Sequence, residues 1–133
     1  MLTPQITNTR QPNCGIVAIA ALTHRTVEEA TALYLGRFPR APSWKGRTHL
    51  EQLLAVLKAD GYHTVREARG GRLSSWVPRN TIPNRHYLLR LGGHFVSVLN
   101  DAVIDQDGST HVSKSNCRNK LVTHAYGIIK KGD

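Results

Sequence analysis

The sequence predicts an α+β fold in which helices come first and an antiparallel sheet follows. In the amino-terminal half, apolar residues recur at helical spacing, whereas in the carboxyl-terminal half they alternate with the two-residue period of strands. Gly92-Gly93 and Asn100-Asp101 separate the strand-like segments, and such pairs are typical of tight turns between antiparallel neighbours. Because 133 residues is an ordinary length for one domain, we expect residues 1–133 to form a single domain.

Two helices are predicted before residue 40. The first covers residues 11–22, where small apolar residues follow Cys14 on every side of the helix, so we expect it to be buried. The second begins after Thr26, which has Glu29 three residues later and so matches a capping box, and it should end near Gly36. A loop containing two prolines follows.

A third helix is predicted from Thr48 to Gly61. Thr48 is expected to cap it, with Glu51 at the capping-box position. Its apolar stripe consists of four leucines, Leu50, Leu53, Leu54 and Leu57. A short strand at residues 62–66 and one helical turn at 73–77, before Pro78, complete this region.

Four strands are predicted in the carboxyl-terminal half, at residues 86–91, 94–99, 102–106 and 120–130. With residues 100 and 101 as a two-residue turn, Val98 pairs with Val103. Continued outward, this register places His94, Asp105 and Asp107 on one face of the sheet. No strand is predicted in the polar stretch 108–119.

The chain is strongly basic, with a formal net charge of +9 and a pI near 10.2. Most of the excess lies between residues 37 and 90. A charge of this size favours an acidic protein or a nucleic acid as partner. The basic residues are not interleaved with aromatic residues and form no recognised nucleic-acid motif, so a solvated basic surface remains the alternative.

The sequence lacks the patterns typical of membrane insertion, secretion and metal binding, and the predictions of location and cofactors follow from this. No apolar run approaches the about 20 residues that span a bilayer, and residues 1–5 lack a secretory pattern, so we expect a cytoplasmic protein that does not insert into a membrane. Cys14 and Cys117 are expected to be free thiols, although a disulfide between them remains open. No metal-ligand spacing occurs, so neither a metal nor a cofactor is expected, and Cys117 is predicted to be exposed without a role.

The order Cys14, His94, Asp105 predicts a nucleophile, a base and an acid that orients the base. Cys14 lies where a helix should begin, and the partial positive charge at a helix amino terminus favours a thiolate. His94 starts a strand directly after two glycines, which leaves its ring accessible to a cleft. Asp105 is preferred as the acid because Asp107 falls in a predicted turn, and Asp107 is kept as the alternative acid.

Side-chain amides upstream of Cys14 are candidates to stabilise an oxyanion. Asn8 lies six residues before Cys14 and Gln11 three before it, with Gln5 a further possibility. The backbone N–H of Cys14 is a second kind of donor. Asn13 is better placed to cap the helix.

Residues 13–20, NCGIVAIA, resemble the nucleophile helix of papain-like cysteine peptidases, particularly the compact C39-like group of bacterial exporters and bacteriophages. Residues 94–98 and 100–105 resemble that family's hairpin of histidine and acid strands. The resemblance implies a papain-like fold with Cys14 as nucleophile, His94 as base and Asp105 as orienting acid. Family members commonly carry Gln six residues before the nucleophile, where this chain has Asn8.

The function expected is a thiol hydrolase that cleaves a peptide or isopeptide bond through an acyl-enzyme; acyl transfer to an amine would use the same residues. The alternative is a non-catalytic basic binding or inhibitor protein on the same scaffold. The size and composition resemble those of a bacteriophage accessory protein, which would place it in the host cytoplasm. The sequence makes no prediction of oligomeric state.

Overall fold

The structure, a computed structural model, describes residues 13–132 and confirms the α+β class. Within these residues, the helices are α1 (Cys14–Thr23), α2 (Val27–Arg37), α3 (Leu50–Ala59) and α4 (Leu73–Asn80). The strands are β1 (Tyr62–Arg66), β2 (His86–Leu91), β3 (His94–Leu99), β4 (Ala102–Asp105), β5 (Gly108–His111) and β6 (His124–Lys130). A short 3-10 helix, Val112–Lys114, follows β5.

The six strands form one antiparallel sheet in the order β1-β6-β2-β3-β4-β5. Val98 pairs with Val103, as the two-residue turn predicts. The ladder between β3 and β4 ends at the pair Ser97 and Ile104, so the sheet does not continue to Asp107. Instead, the chain turns after Asp105, which pairs with Gly108 of β5.

Each face of the sheet is covered by its own core. Helices α1, α2 and α3 cover one face, on which Leu88, Phe95 and Ile128 are buried. Helix α4 and the 3-10 helix cover the other, on which Val96 and Val98 are buried among residues that include Cys117. Burying a large apolar side chain contributes about 1.5–3 kcal/mol. Because neighbouring side chains on a strand alternate, His94 leaves β3 on the side of Val96 and not of Phe95.

Three local predictions are wrong. Thr48 does not cap α3, since the cap residue is His49, which makes no side-chain capping bond, and Thr48 is instead buried against α1. Helix α4 continues past Pro78 to Asn80, whose side-chain amide donates to the carbonyl of Trp76 at 3.0 Å. No strand is predicted at residues 108–119, but the polar residues of β5 form a strand at the edge of the sheet. Pairing with β4 satisfies the backbone of β5, and an edge strand needs no apolar pattern.

None of the helices in residues 13–132 combines the length and the apolar character that crossing a bilayer requires. The longest, α2, has 11 residues.

Candidate active site

Cys14 is the first residue of α1 and lines a cavity. Asn13 occupies the cap position, as predicted, but its side chain makes no capping bond. Its Oδ1 instead accepts a hydrogen bond from Nε2 of Gln106 at 2.6 Å, which ties the β4–β5 turn to the start of α1. The N–H groups in the first turn of a helix have no partner within the helix, so those of residues 14–16 can donate to a bound oxygen.

Two glycines allow the loop before α3 to pack directly on this end of α1. A Cβ on Gly15 would lie 2.0 Å from Oγ1 of Thr48, and a Cβ on Gly46 would lie 2.9 Å from Cβ of Asn13. Gly46 also has φ of +103°, a conformation that favours glycine. The position of the Cys14 sulfur is therefore fixed by close packing around its neighbours.

The start of α1 contacts the start of β3. The backbone N–H of Phe95 donates to Sγ of Cys14 at 3.4 Å. The sulfur thus lies against the peptide bond that joins His94 to Phe95. Two segments separated by 81 positions in the sequence meet at this bond.

His94, Asp105 and Cys117 form a compact cluster at the ends of β3 and β4. One potential ligand atom from each residue, nitrogen, oxygen and sulfur, lies within 4.8 Å of the other two. Asp105 is only 6% exposed, and its Oδ1 accepts the backbone N–H of Asp107 at 2.8 Å. The structure therefore brings the predicted base and the preferred acid together, whereas the alternative acid, Asp107, is exposed in the turn. The predicted nucleophile, Cys14, is not part of this cluster: it lies on the α1 side of the sheet and contacts β3 through the N–H of Phe95.

The surroundings of His94 favour a neutral ring. Burial lowers the pKa of His94, and the ammonium of Lys120 lowers it further. The carboxylates of Asp105 and Asp107 act in the opposite direction but have the smaller effect. A neutral imidazole can accept a proton at neutral pH.

Cys117 is buried, contrary to the prediction of an exposed loop thiol. It is 5% exposed, and its Sγ lies 4.0 Å from Oδ2 of Asp105. The loop that carries it folds over the second core, where the N–H groups of Leu73 and Ser74 donate to the carbonyls of Lys120 and Arg118 at 2.9 and 3.0 Å. Burial, and secondarily the charge of Asp105, raise the pKa of the Cys117 thiol. The polar neighbours in the sequence obscured this burial, which depends on contacts far away in the chain.

Cys14 and Cys117 are both free thiols, so the disulfide left open by the sequence is not formed. The upstream amides Asn8, Gln11 and Gln5 lie outside the described residues. Their part in an oxyanion site stays a prediction.

A cavity of about 560 Å³ opens beside Cys14, and its charged lining is mostly basic. The lining comes from the start of α1, from the loop before α3 and the start of α3, from the β2–β3 hairpin and from β6: Cys14, Arg47, Thr48, His49, Leu50, Glu51, Arg90, Gly93, Phe95 and His124. Within the described part of the chain, Nε of Arg90 is buried without a hydrogen-bond partner. Sequence reasoning identified the excess positive charge but not its concentration at the sulfur, because the arginines come from separate elements.

No protein-family model matches the chain, and neither a curated protein nor a solved structure matches it at significant similarity. A functional assignment therefore depends on the geometry of the site.

Proposed function

We propose that this chain is a papain-like thiol hydrolase that cleaves a peptide or isopeptide bond through an acyl-enzyme. One observation supports the proposal above all: the Cys14 sulfur contacts the peptide bond that follows His94, and the His94 ring lies beside the buried Asp105 carboxylate. A nucleophile, a base and an acid that orients the base are the groups that acyl transfer by a thiol requires. The papain-like resemblance of residues 13–20 and 94–105 agrees with this assignment.

In the first half of the reaction as we propose it, the ring of His94 turns around the start of β3 towards the sulfur on the α1 side and takes the proton of the Cys14 thiol. The sulfur then attacks the carbonyl carbon of the scissile bond. The oxyanion that forms accepts hydrogen bonds from the N–H groups in the first turn of α1. Collapse of this tetrahedral intermediate breaks the C–N bond, and the amine leaves with the proton held by His94. Cys14 is then a thioester.

In the second half, His94 takes a proton from water, and the resulting hydroxide attacks the thioester carbonyl. Collapse releases the carboxylic acid and returns the proton to the Cys14 sulfur. Asp105 keeps the imidazole oriented and stabilises it while it is charged. An amine in place of water would give acyl transfer, with the same residues in the same roles.

The cavity supports an acidic peptide as substrate. Arg47 and Arg90 line it next to Cys14, with Glu51 the acidic side chain of the lining. The guanidinium of Arg90 can donate to a substrate carboxylate, and such charge-assisted hydrogen bonds are stronger than neutral ones. Complementary charge would also speed the encounter with an acidic protein.

The experiment that tests the proposal is peptide cleavage followed by mass spectrometry. A mixture of synthetic peptides rich in Asp and Glu is incubated with the wild-type chain and with Cys14→Ala. We expect cleavage products from the wild type and a loss of at least about 10³-fold in the variant, because removing a covalent nucleophile leaves only binding effects. Cleavage that survives Cys14→Ala refutes the proposal.

A second candidate, a non-catalytic binder of an acidic protein or a nucleic acid, is favoured by the same basic cavity and by the exposed Arg66 and Arg69 nearby. These two arginines act on His124, whose pKa is lowered by burial first and then by Arg90, Arg69 and Arg66. This candidate predicts binding that weakens steeply with added salt and is unchanged by alkylation of Cys14. Weak salt dependence, or loss of binding on alkylation, would count against it.

A further inference from the structure

We propose that His94, Asp105 and Cys117 form a binding site for a zinc-type transition-metal ion, and that the bound ion switches off the hydrolase. Metal binding stands on the geometry of the three side chains alone. Inhibition rests on the proposed function, because two of the three ligands are its base and its orienting acid.

The three side chains supply the donor set of a zinc site. An imidazole nitrogen, a carboxylate oxygen and a thiolate sulfur are the three ligand types of zinc sites in proteins. A thiolate with an imidazole selects against Mg²⁺ and Ca²⁺, which require oxygen ligands. Three protein ligands leave a fourth position of a tetrahedral ion for water.

The three donor atoms are close enough together to share one ion. The three donor atoms lie within 4.8 Å of one another, and the Cys117 sulfur is 4.0 Å from Oδ2 of Asp105. Metal–ligand bonds of about 2.0–2.3 Å in a tetrahedron place neighbouring donor atoms about 3.3–3.6 Å apart. Movement of each donor atom by roughly an ångström or less would therefore bring the three atoms into one coordination sphere.

Hydrogen bonds from neighbouring residues hold two of the three ligands in place. The N–H of Asp107 fixes Oδ1 of Asp105 at 2.8 Å, which leaves Oδ2 facing the sulfur. The backbone of Cys117 is anchored by its N–H to Oγ of Ser115 at 3.0 Å. Partners that orient the ligands in this way strengthen metal binding.

The buried Cys117 thiol and Asp105 carboxylate form at best a weak hydrogen bond with each other. A separation of 4.0 Å is long for a hydrogen bond, even one from sulfur. When the ion binds, the Cys117 thiol loses its proton to solvent, and the S–H bond is replaced by an S–metal bond. Nearby Lys120 opposes a cation, but its side chain is exposed and its charge is screened by water. The half-exposed His94, beside the exposed Gly92-Gly93 turn, gives the ion access.

Binding and hydrolysis cannot occur together. An imidazole nitrogen coordinated to metal cannot take the Cys14 proton, and a coordinated Asp105 no longer orients the ring. The ion would thus act as an inhibitor, and a chelator would restore activity.

Cobalt(II) chloride is the probe for the binding test. The metal-free chain is titrated with Co²⁺ while the thiolate-to-cobalt charge-transfer band and the visible bands are recorded. We expect saturation at one ion per chain and displacement by Zn²⁺. Cys117→Ser should lose the charge-transfer band, whereas the matched Cys14→Ser variant should keep it. No band in the wild type, or a band lost with Cys14 and kept without Cys117, overturns the site.

His94→Gln provides a second variant in case Cys117→Ser does not fold. It should weaken Co²⁺ binding at least about tenfold, and unchanged affinity in a folded His94→Gln overturns the site.

Inhibition is measured separately, as peptide cleavage with added Zn²⁺ and then with chelator, each protein being compared with its own metal-free rate. Zn²⁺ should inhibit the wild type and not Cys117→Ser; equal inhibition of both shows that the inhibiting ion does not need Cys117 and refutes the switch. If no cleavage occurs under any condition, the proposed function fails while the cobalt spectrum still decides the metal site.

Discussion

The Cys14 sulfur accepts a hydrogen bond from the backbone N–H of Phe95 at 3.4 Å, across 81 positions of sequence. This contact joins the first residue of α1 to the second residue of β3. It brings the sulfur to the backbone next to His94, the proposed base. The donor is the backbone N–H of Phe95, which a side-chain substitution at position 94 leaves in place.

The close packing at Gly15 should be required for both stability and activity. Gly15→Ala forces a Cβ against Oγ1 of Thr48, at 2.0 Å before any relaxation, so we expect a loss of about 1–3 kcal/mol in the free energy of unfolding and a shifted Cys14. Urea denaturation and peptide cleavage measure the two effects. Gly36→Ala in α2 is the matched control, because its Cβ meets nothing within 4 Å, and it should be neutral or stabilising. Equal stability of Gly15→Ala and wild type would show that the packing is loose.

Arg90 should determine the preference for acidic substrates. Arg90→Gln removes a charged donor from the cavity, so KM for an acidic peptide should rise about tenfold or more while kcat changes little. Arg79→Gln, on the exposed side of α4, is the control of equal charge change. The same rise in KM for both variants would mean that net charge, and not the cavity, attracts the substrate.

The capping box of α2 should contribute about 1 kcal/mol to stability. Oγ1 of Thr26 accepts from the N–H of Glu29 at 3.1 Å, and Oε1 of Glu29 accepts from the N–H of Thr26 at 3.0 Å. Thr26→Ala removes the first bond and weakens the second, with an expected cost of about 1 kcal/mol measured by urea denaturation. Peptide cleavage should be unaffected, since α2 does not line the cavity at Cys14. No loss of stability would contradict the cap.

His86 should make the fold less stable in acid. Burial, and then the neighbouring His24, lower the pKa of His86, and its Nδ1 has no hydrogen-bond partner among the described residues. Because the unfolded chain binds this proton more readily, the free energy of unfolding is largest above the unfolded-state pKa of about 6.5 and falls as the pH drops below it.

Denaturation between pH 7.5 and pH 5 tests this in the wild type and in His86→Gln, which should lose part of the acid sensitivity. His63→Gln, at an exposed position of β1, should keep all of it. Identical pH dependence in the three proteins would exclude His86 as a source.

Short-range patterns predicted much of the fold. The capping box at Thr26, the strands 86–91 and 94–99 and the pairing of Val98 with Val103 follow from contacts between sequence neighbours, and each has the predicted place. Thr48 shows where such patterns stop. It has the sequence signature of a cap, but its side chain is buried against Gly15 of α1.

The site was predictable in part for the same reason. The hairpin brings His94 near Asp105 through local turns, so their proximity could be derived from the sequence. The burial of Cys117 depends on a loop that folds over α4, and the basic cavity depends on Arg47 and Arg90 arriving from different elements. Neither leaves a periodic signal in the sequence.

The most direct test of the central claim is the rate at which iodoacetamide alkylates Cys14 at pH 7, followed by mass spectrometry so that Cys14 and the buried Cys117 are counted separately. If His94 takes the thiol proton, Cys14 in the wild type reacts faster than a free cysteine, His94→Gln slows it at least about tenfold, and His63→Gln leaves it unchanged. A Cys14 that reacts at the rate of free cysteine, with no effect of His94→Gln, would contradict the account.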